Sequence, residues 1–312
     1  MKPTPEQKLA PPAGISPEAE ALVAETLAGP ARDLTGPVSE IRARVREAFT
    51  PACEAVIADT GVTLSDRVIA GVPSMVIDPP RKHGTRKIVY FFGGGFALGS
   101  PFEDIPISAA LAVQTGAQVI APIYPLAPEN PFPAGLDACT AVARAVLEED
   151  PDTCIVGESA GGNFALATAL RLRAEGTLGP RALALLSPAA DLGSKGDSFA
   201  AKRDPFLIAE DTAFFESNYL PAEVDRRHPD VSPIYGNFNA GFPPVFITTG
   251  TRDLFLSICV RLERALREAG VDATLRVWEG MWHVFEFYTQ TPEARASLAE
   301  IADFLNRHYQ SH

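Results

Sequence analysis

From Lys87 onward, short apolar runs alternate with stretches of helical periodicity, and this alternation limits the fold more than any other feature of the chain. Lys87–Phe92 (KIVYFF) reads as a continuous apolar run, the pattern of a strand buried on both faces. Gln118–Tyr124 reads as a strand and Leu136–Glu149 as a helix. Thr153–Val156 is a strand and Ala160–Ala174 a helix. Ala182–Leu186 and Val245–Thr248 are strands, Leu256–Ala269 a helix, Ala273–Val277 a strand and Pro292–Arg307 a closing helix. Such alternation predicts an α/β fold with a mostly parallel central sheet and helices on both faces. One stretch breaks the rhythm: Gly193–Gly241, rich in Phe, Pro and charge, is inserted between two strands, as functional lids often are.

The first fifty residues read differently. Ser16-Pro17 is a capping residue with proline at the first helical position, Leu22, Val23 and Leu27 follow at helical spacing, and Gly29-Pro30 stops the run. A second short helix is expected over Val38–Ala48, with Ile41 and Val45 on one face. Val68–Ile77 reads as two extended pieces around Gly71 and Pro73. With 312 residues, 46% hydrophobic and 21% charged, the chain is expected to fold as a single globular domain. A net charge of −12 gives neither the basic face nucleic acid requires nor a polybasic handle for anionic membranes. No apolar run reaches the ~18 residues of a membrane span, and MKPTPEQKLAPPAG lacks the apolar centre of a secretory signal. Cys53, Cys139, Cys154 and Cys259 are scattered without a C-x-x-C pair, so they are expected to be buried small hydrophobes rather than a zinc site or disulfide framework. These features predict a soluble protein of the cytoplasm, with no membrane and no nucleic-acid partner.

Gly157-Glu158-Ser159-Ala160-Gly161 is G-x-S-x-G, placed after the strand TCIV and opening a helix. A nucleophile elbow needs that setting, because a sharp strand-to-helix turn lifts the serine hydroxyl above the sheet edge. A plain helix N-cap serine would fit the same junction. Gly93-Gly94-Gly95-Phe96 follows KIVYFF directly, and the N–H groups of Gly94 and Gly95, joined by that of Ala160, can serve an oxyanion. A glycine-rich phosphate loop is the weaker alternative, since no G-K-[ST] follows. A serine nucleophile needs a base. Of five histidines, His308 and His312 lie at the C-terminus, His83 in the charged turn RKHGTRK and His228 beside Arg226 and Arg227. His283, in GMWHVF just after the strand ATLRVW, stands where an open α/β sheet builds its site. Asp253, in TGTRDLF after the strand VFITT, is the candidate to orient it; Asp191 and Asp137 are rivals, and helix capping is the competing role for Asp253 itself.

These residues resemble the hormone-sensitive-lipase family of α/β-hydrolases, which includes bacterial and archaeal carboxylesterases. The resemblance runs from about Ile88 to the C-terminus and rests on five pieces in order: GGGF at Gly93–Phe96, YPLAPENPFPAGLDA at Tyr124–Ala138, GESAGGN at Gly157–Asn163, SPAADL at Ser187–Leu192, and the paired GTRDLF and WHVF segments. It implies the α/β-hydrolase fold and the catalytic order Ser159…Asp253…His283. It also implies a helical cap built from about residues 1–50 and 193–241, no cofactor or metal, a small-molecule ester substrate and a homodimer. The chain departs from the family in three places. Phe92 stands where histidine usually precedes the glycines, Glu158 stands where aspartate is common before the nucleophile, and Leu254-Phe255-Leu256-Ser257-Ile258 follows the acid. The expected activity is that of a serine carboxylesterase cleaving short-chain acyl esters. A lactonase or amidase would use the same triad. A ligand receptor, as in the plant gibberellin receptors that resemble this family but lost the histidine, is the reading from another class. Phe199, Phe206, Phe214, Phe215 and Tyr219 are expected either to line an apolar substrate site or to pack the cap on the body.

Overall fold

The computed structural model describes residues 12–29 and 32–309. Strands β1 (Thr63–Ile69) and β2 (Val72–Asp78) form an antiparallel hairpin through Ala70-Gly71, both in the left-handed region at φ 48° and 79°. β2 pairs antiparallel with β4 (Gln118–Pro122). From β4 the sheet continues in parallel through β3 (Lys87–Phe91), β5 (Thr153–Glu158), β6 (Leu183–Leu186), β7 (Val245–Gly250) and β8 (Ala273–Trp278), giving the order β1-β2-β4-β3-β5-β6-β7-β8. Every residue of β3, β5, β6 and β7 is buried, which is why their sequences read as unbroken apolar runs rather than alternating ones.

Helices cover both faces of this sheet. α3 (Ile105–Thr115) packs on α9 (Pro292–His308), while α4 (Ala134–Glu149) packs on α5 (Ser159–Ala174) and α8 (Leu256–Glu268) on β7 and β8. Sequence periodicity did not reveal α3. Ile105, Ile107, Leu111 and Ala112 are all fully buried together with Pro106, Ser108 and Ala109, so the helix is apolar around most of its circumference and has no polar stripe to betray its period.

Before the sheet come α1 (Pro17–Ala28) and α2 (Val38–Thr60). Ser16 caps α1 as expected, its hydroxyl accepting the Ala19 N–H at 3.2 Å, with Pro17 in the first turn and Gly29 at the end. α2 does not stop at Ala48 but runs through Pro51 to Thr60. Proline removes one helical bond, whereas Ile41, Val45, Phe49, Cys53 and Ile57 continue one apolar stripe at four-residue spacing against the core, and the stripe prevails. The insertion Gly193–Gly241 holds α6 (Asp197–Ala201), α7 (Ala209–Tyr219) and a 3₁₀ turn at Pro233–Tyr235. All four cysteines are buried and unpaired. Among the described residues, no helix is long and apolar enough to cross a membrane.

Candidate active site

β5 extends two residues beyond Val156 and delivers Ser159 at φ 51°, a left-handed conformation that a side chain normally avoids. The surrounding chain makes this turn the tight one. A Cβ on Gly161 would collide with the Phe91 carbonyl of β3, and one on Gly157 with the Gly161 carbonyl. α5 can therefore begin directly against the sheet only with glycine at both places, and the serine hydroxyl is left above the strand ends.

His283 and Asp253 come from the loops after β8 and β7. The Ser159 Oγ lies 2.9 Å from His283 Nε2, and His283 Nδ1 lies 3.0 Å from Asp253 Oδ1. A carboxylate only accepts, so Nδ1 carries the ring proton and the Nε2 lone pair faces the serine hydroxyl. Asp253 is almost fully buried. Burial works against its charge, but the neighbouring His283, together with hydrogen bonds from His283, Ser187 and Thr249, holds the carboxyl below its ordinary range. The Thr249 hydroxyl donates to Oδ2 at 2.7 Å and the Phe255 N–H to Oδ1 at 2.8 Å. The capping role weighed for Asp253 is not realised: α8 begins after Phe255 with no side-chain cap, and the bond from the Phe255 N–H closes a local turn beside the contact to histidine. The ring edge of Phe255 meets the imidazole with centroids 4.7 Å apart, and the Ser187 hydroxyl accepts the Val284 N–H at 3.1 Å. Ser187 and Thr249 open the SPAADL and TGTRDLF motifs, but nothing in the sequence assigned either of them a role at Asp253.

The glycine loop faces the same point. Gly94 has φ 100°, and a Cβ there would strike the Leu98 carbonyl; one on Gly95 would strike the Phe215 ring. The Gly94 carbonyl accepts the Leu98 N–H at 2.8 Å, which curls the loop back on itself. Among the described residues, none accepts a hydrogen bond from the N–H of Gly94, Gly95 or Ala160, so these three donors are available to a ligand. Phe92 is buried and stacks on Tyr124, centroids 4.0 Å apart and planes within 8°, while the Tyr124 hydroxyl donates to the Phe92 carbonyl at 2.6 Å. The loop is thereby anchored by ring packing and by the bond from the Tyr124 hydroxyl to the Phe92 carbonyl. Phe92→Ala is expected to destabilise the fold by roughly 3–5 kcal/mol and to lower kcat; a denaturant titration and steady-state kinetics check both.

Beneath the loop lies a pair of acids. Glu158 and Asp104 are buried and hydrogen-bonded to each other, with the Tyr90 hydroxyl donating to Asp104 at 2.9 Å and the Gly93 N–H donating to the pair. Burial, then the Asp104 charge, pushes Glu158 well above the carboxylate range, so it keeps its proton and donates it to Asp104, which burial raises to about 7. Asp204, buried near Asp253, is raised by burial and by that neighbour to about 6. Glu286, three residues beyond His283, accepts from Ser297 at 2.8 Å and is raised by burial to about 7. An acid raised in this way contributes stability that is complete below its unfolded pKa and is lost as pH rises through about 7. Glu286→Gln is therefore expected to remove a penalty of up to about 3 kcal/mol above pH 8. Its melting temperature should fall several degrees less than that of the parent between about pH 5 and 8; equal falls in a thermal scan would contradict this.

The rival residues lie elsewhere. Asp191 pairs with Arg261 at 2.8 Å and Asp137 with Arg171 at 2.6 Å. His228 is exposed beside Asp230, His83 packs against Gly116, and His308 bonds the Phe304 carbonyl; His312 lies outside the described residues.

A cavity of about 290 Å³ opens over Ser159 and His283. Its floor is the glycine loop. Its walls come from the N-terminal segment, through Leu34, Val45 and Phe49, and from the insertion, through Phe206, Leu207 and Phe215. The five insertion aromatics divide between the two roles expected of them. Phe206 and Phe215 line the cavity. Phe199 instead stacks on Phe255, Tyr219 on Phe96, and Phe214 meets Phe215 edge-on.

Comparison with known proteins agrees with this architecture. A family model described as alpha/beta hydrolase fold matches residues 88–287. An esterase of Acinetobacter venetianus is 35% identical over 226 residues, 70% of this chain and 74% of its own length. An acetyl-hydrolase of Streptomyces hygroscopicus is 34% identical over 266 residues, 83% of this chain and 88% of its own. The crystal structure of an esterase from the bacterial hormone-sensitive lipase family superposes with a TM-score of 0.83 at 29% identity, over 93% of this chain and 96% of that one. With the GGGF loop, the serine elbow and the ordered acid and histidine loops already in place, the match shows that the chain belongs to the hormone-sensitive-lipase family of α/β-hydrolases.

Proposed function

We propose that the protein is a serine carboxylesterase acting on short-chain acyl esters through an acyl-enzyme. One observation carries this reading: an unbroken chain of contacts from Ser159 through His283 to Asp253, at 2.9 and 3.0 Å, beneath a cavity with unengaged backbone donors. In this account His283 Nε2 takes the Ser159 proton as Oγ attacks the ester carbonyl. The N–H groups of Gly94, Gly95 and Ala160 hold the oxyanion, and Asp253 steadies the imidazolium. His283 then protonates the departing alcohol. In the second half it activates water to release the acid and regenerate Ser159.

The names of relatives support esters: an acetyl-hydrolase and esterases stand among them. A lactone or amide could occupy the same atoms, but none of those relatives is named for either. Retention of His283 in contact with Ser159 speaks against the receptor reading. The N-terminal segment to about residue 50 and the insertion at about 193–241 are read as the cap, since both supply cavity walls. The cytoplasm and a homodimer belong to the same reading. Four unpaired cysteines suit a reducing compartment, and β8, the last strand of the sheet, pairs among the described residues with β7 alone, which suits the meeting of a second copy.

The preference for short acyl groups follows from size. Each buried CH₂ gains only about 0.8 kcal/mol, and a cavity of about 290 Å³ stops giving that gain after a few carbons. Initial rates with p-nitrophenyl esters from acetyl to palmitoyl test activity and preference together. The expected kcat/KM peaks at a short chain. A value still rising at palmitoyl would refute the size limit, and no turnover of any ester above buffer would refute the esterase.

A further inference from the structure

Asp204 sits in the insertion, between α6 and α7, with 2% of its surface exposed. Its carboxylate accepts four backbone hydrogen bonds. Oδ1 takes the N–H of Phe206 at 2.8 Å and of Leu207 at 3.0 Å. Oδ2 takes the N–H of Leu254 at 3.0 Å and of His283 itself at 3.0 Å. Leu254 directly follows Asp253. One oxygen therefore spans the main chain of the histidine loop and the main chain of the acid loop, 79 and 50 residues away in sequence. The other oxygen holds two residues of the cavity wall.

We propose that Asp204 is a positioning residue: it fixes the loop of His283 to the loop of Asp253 and ties both to the wall of the substrate cavity. The inference rests on the ester-hydrolysis reading for its kinetics but not for its geometry. The Asp253–His283 contact at 3.0 Å joins two side chains on separate loops after neighbouring strands. Strand pairing sets the spacing of β7 and β8 but not the path of the loops beyond them. A shared acceptor for one backbone N–H from each loop removes that freedom. Only a carboxylate can do this, because all four partners are donors. An asparagine would keep one accepting oxygen and turn an NH₂ group against two N–H groups. The same carboxylate makes the position of Phe206 and Leu207 depend on that of the imidazole, so the pocket wall and the base move as one body.

The test is Asp204→Asn, with Asp204→Ser, which opens space rather than opposing two donors, carrying the same test if the first variant does not fold. Three quantities are read on the full chain: the melting temperature, kcat and KM for p-nitrophenyl acetate, and the downfield proton resonance of the His283 Nδ1–H held by Asp253. A misplaced catalytic group costs on the order of 10² in rate. The expected variant is folded, with kcat lower by about that factor, KM within about threefold of the parent, and the downfield resonance shifted or lost. A folded variant with parental kcat and an unchanged resonance overturns the proposal. So does failure of both variants to fold, which would make Asp204 a determinant of the fold alone. If the unaltered protein turns over no ester, the esterase reading falls separately, and the resonance alone decides the role of Asp204.

Discussion

Replacing Ser159 with alanine is expected to lower kcat for p-nitrophenyl acetate by on the order of 10⁶ while leaving the fold intact. The hydroxyl is the only group of the protein that bonds the acyl carbon in the proposed mechanism; water does so only afterwards, on the acyl-enzyme that Ser159 forms. The neighbouring acids Glu158 and Asp104 are held beneath the glycine loop by each other and by the Gly93 N–H, away from the nucleophile's role. The fold should persist because Ser159 occupies its turn through its backbone: Gly157 and Gly161 make the close approach to β3 possible, and alanine at the centre keeps both. Residual activity of about 10³–10⁴ over the uncatalysed rate would remain from the backbone donors and the pocket. Circular dichroism and steady-state rates read the two halves of this expectation. A native spectrum with parental turnover would refute the nucleophile.

His283→Gln is expected to be nearly as severe, because a triad acts as a unit and loss of the base leaves the serine un-ionised. Glutamine can fill much of the imidazole volume but offers no group that accepts a proton from Ser159 and returns it. The neighbours of His283 predict that the damage stays local. Its N–H is held by Asp204 and the Val284 N–H by Ser187, both through the backbone, so the loop keeps its anchors without the ring. His228→Gln and His83→Gln are the controls, and each is expected to keep parental rates, since neither histidine lies within reach of the cavity. Loss of turnover in either control, with His283→Gln active, would reverse the assignment.

Much of this architecture was legible in the sequence because the features concerned are local. A parallel strand buried on both faces must be apolar along its whole length, so KIVYFF and TCIV stood out, and the serine and glycine loop follow their strands directly. Loops after strands also pointed to Asp253 and His283, whose approach to Ser159 the structure then displays. What stayed hidden is what depends on distant chain. α3 is buried around most of its surface and so has no amphipathic period to detect. α2 passes Pro51 because its stripe reaches a core that lies far along the chain. The crossing that seats β3 between β4 and β5 follows from tertiary packing and leaves no local mark. Asp204 is the sharpest case. Arg203-Asp204-Pro205 reads as an ordinary turn, and two of the four donors it satisfies lie 50 and 79 residues away. Phe92 illustrates the reverse: a departure visible in the sequence whose consequence, stacking on Tyr124, required the structure.

In the proposed cycle Ser159 carries the acyl group between two half-reactions. Rapid mixing of the unaltered protein with p-nitrophenyl acetate, followed by acid quench and mass analysis of the intact chain and of the peptide bearing Ser159, would capture that intermediate. The expected result is an early burst of p-nitrophenol matched by one acetyl group per chain, located on Ser159 and absent from Ser159→Ala. Turnover with no acetylated protein at any time, or acetylation at another residue that tracks the burst, would contradict it.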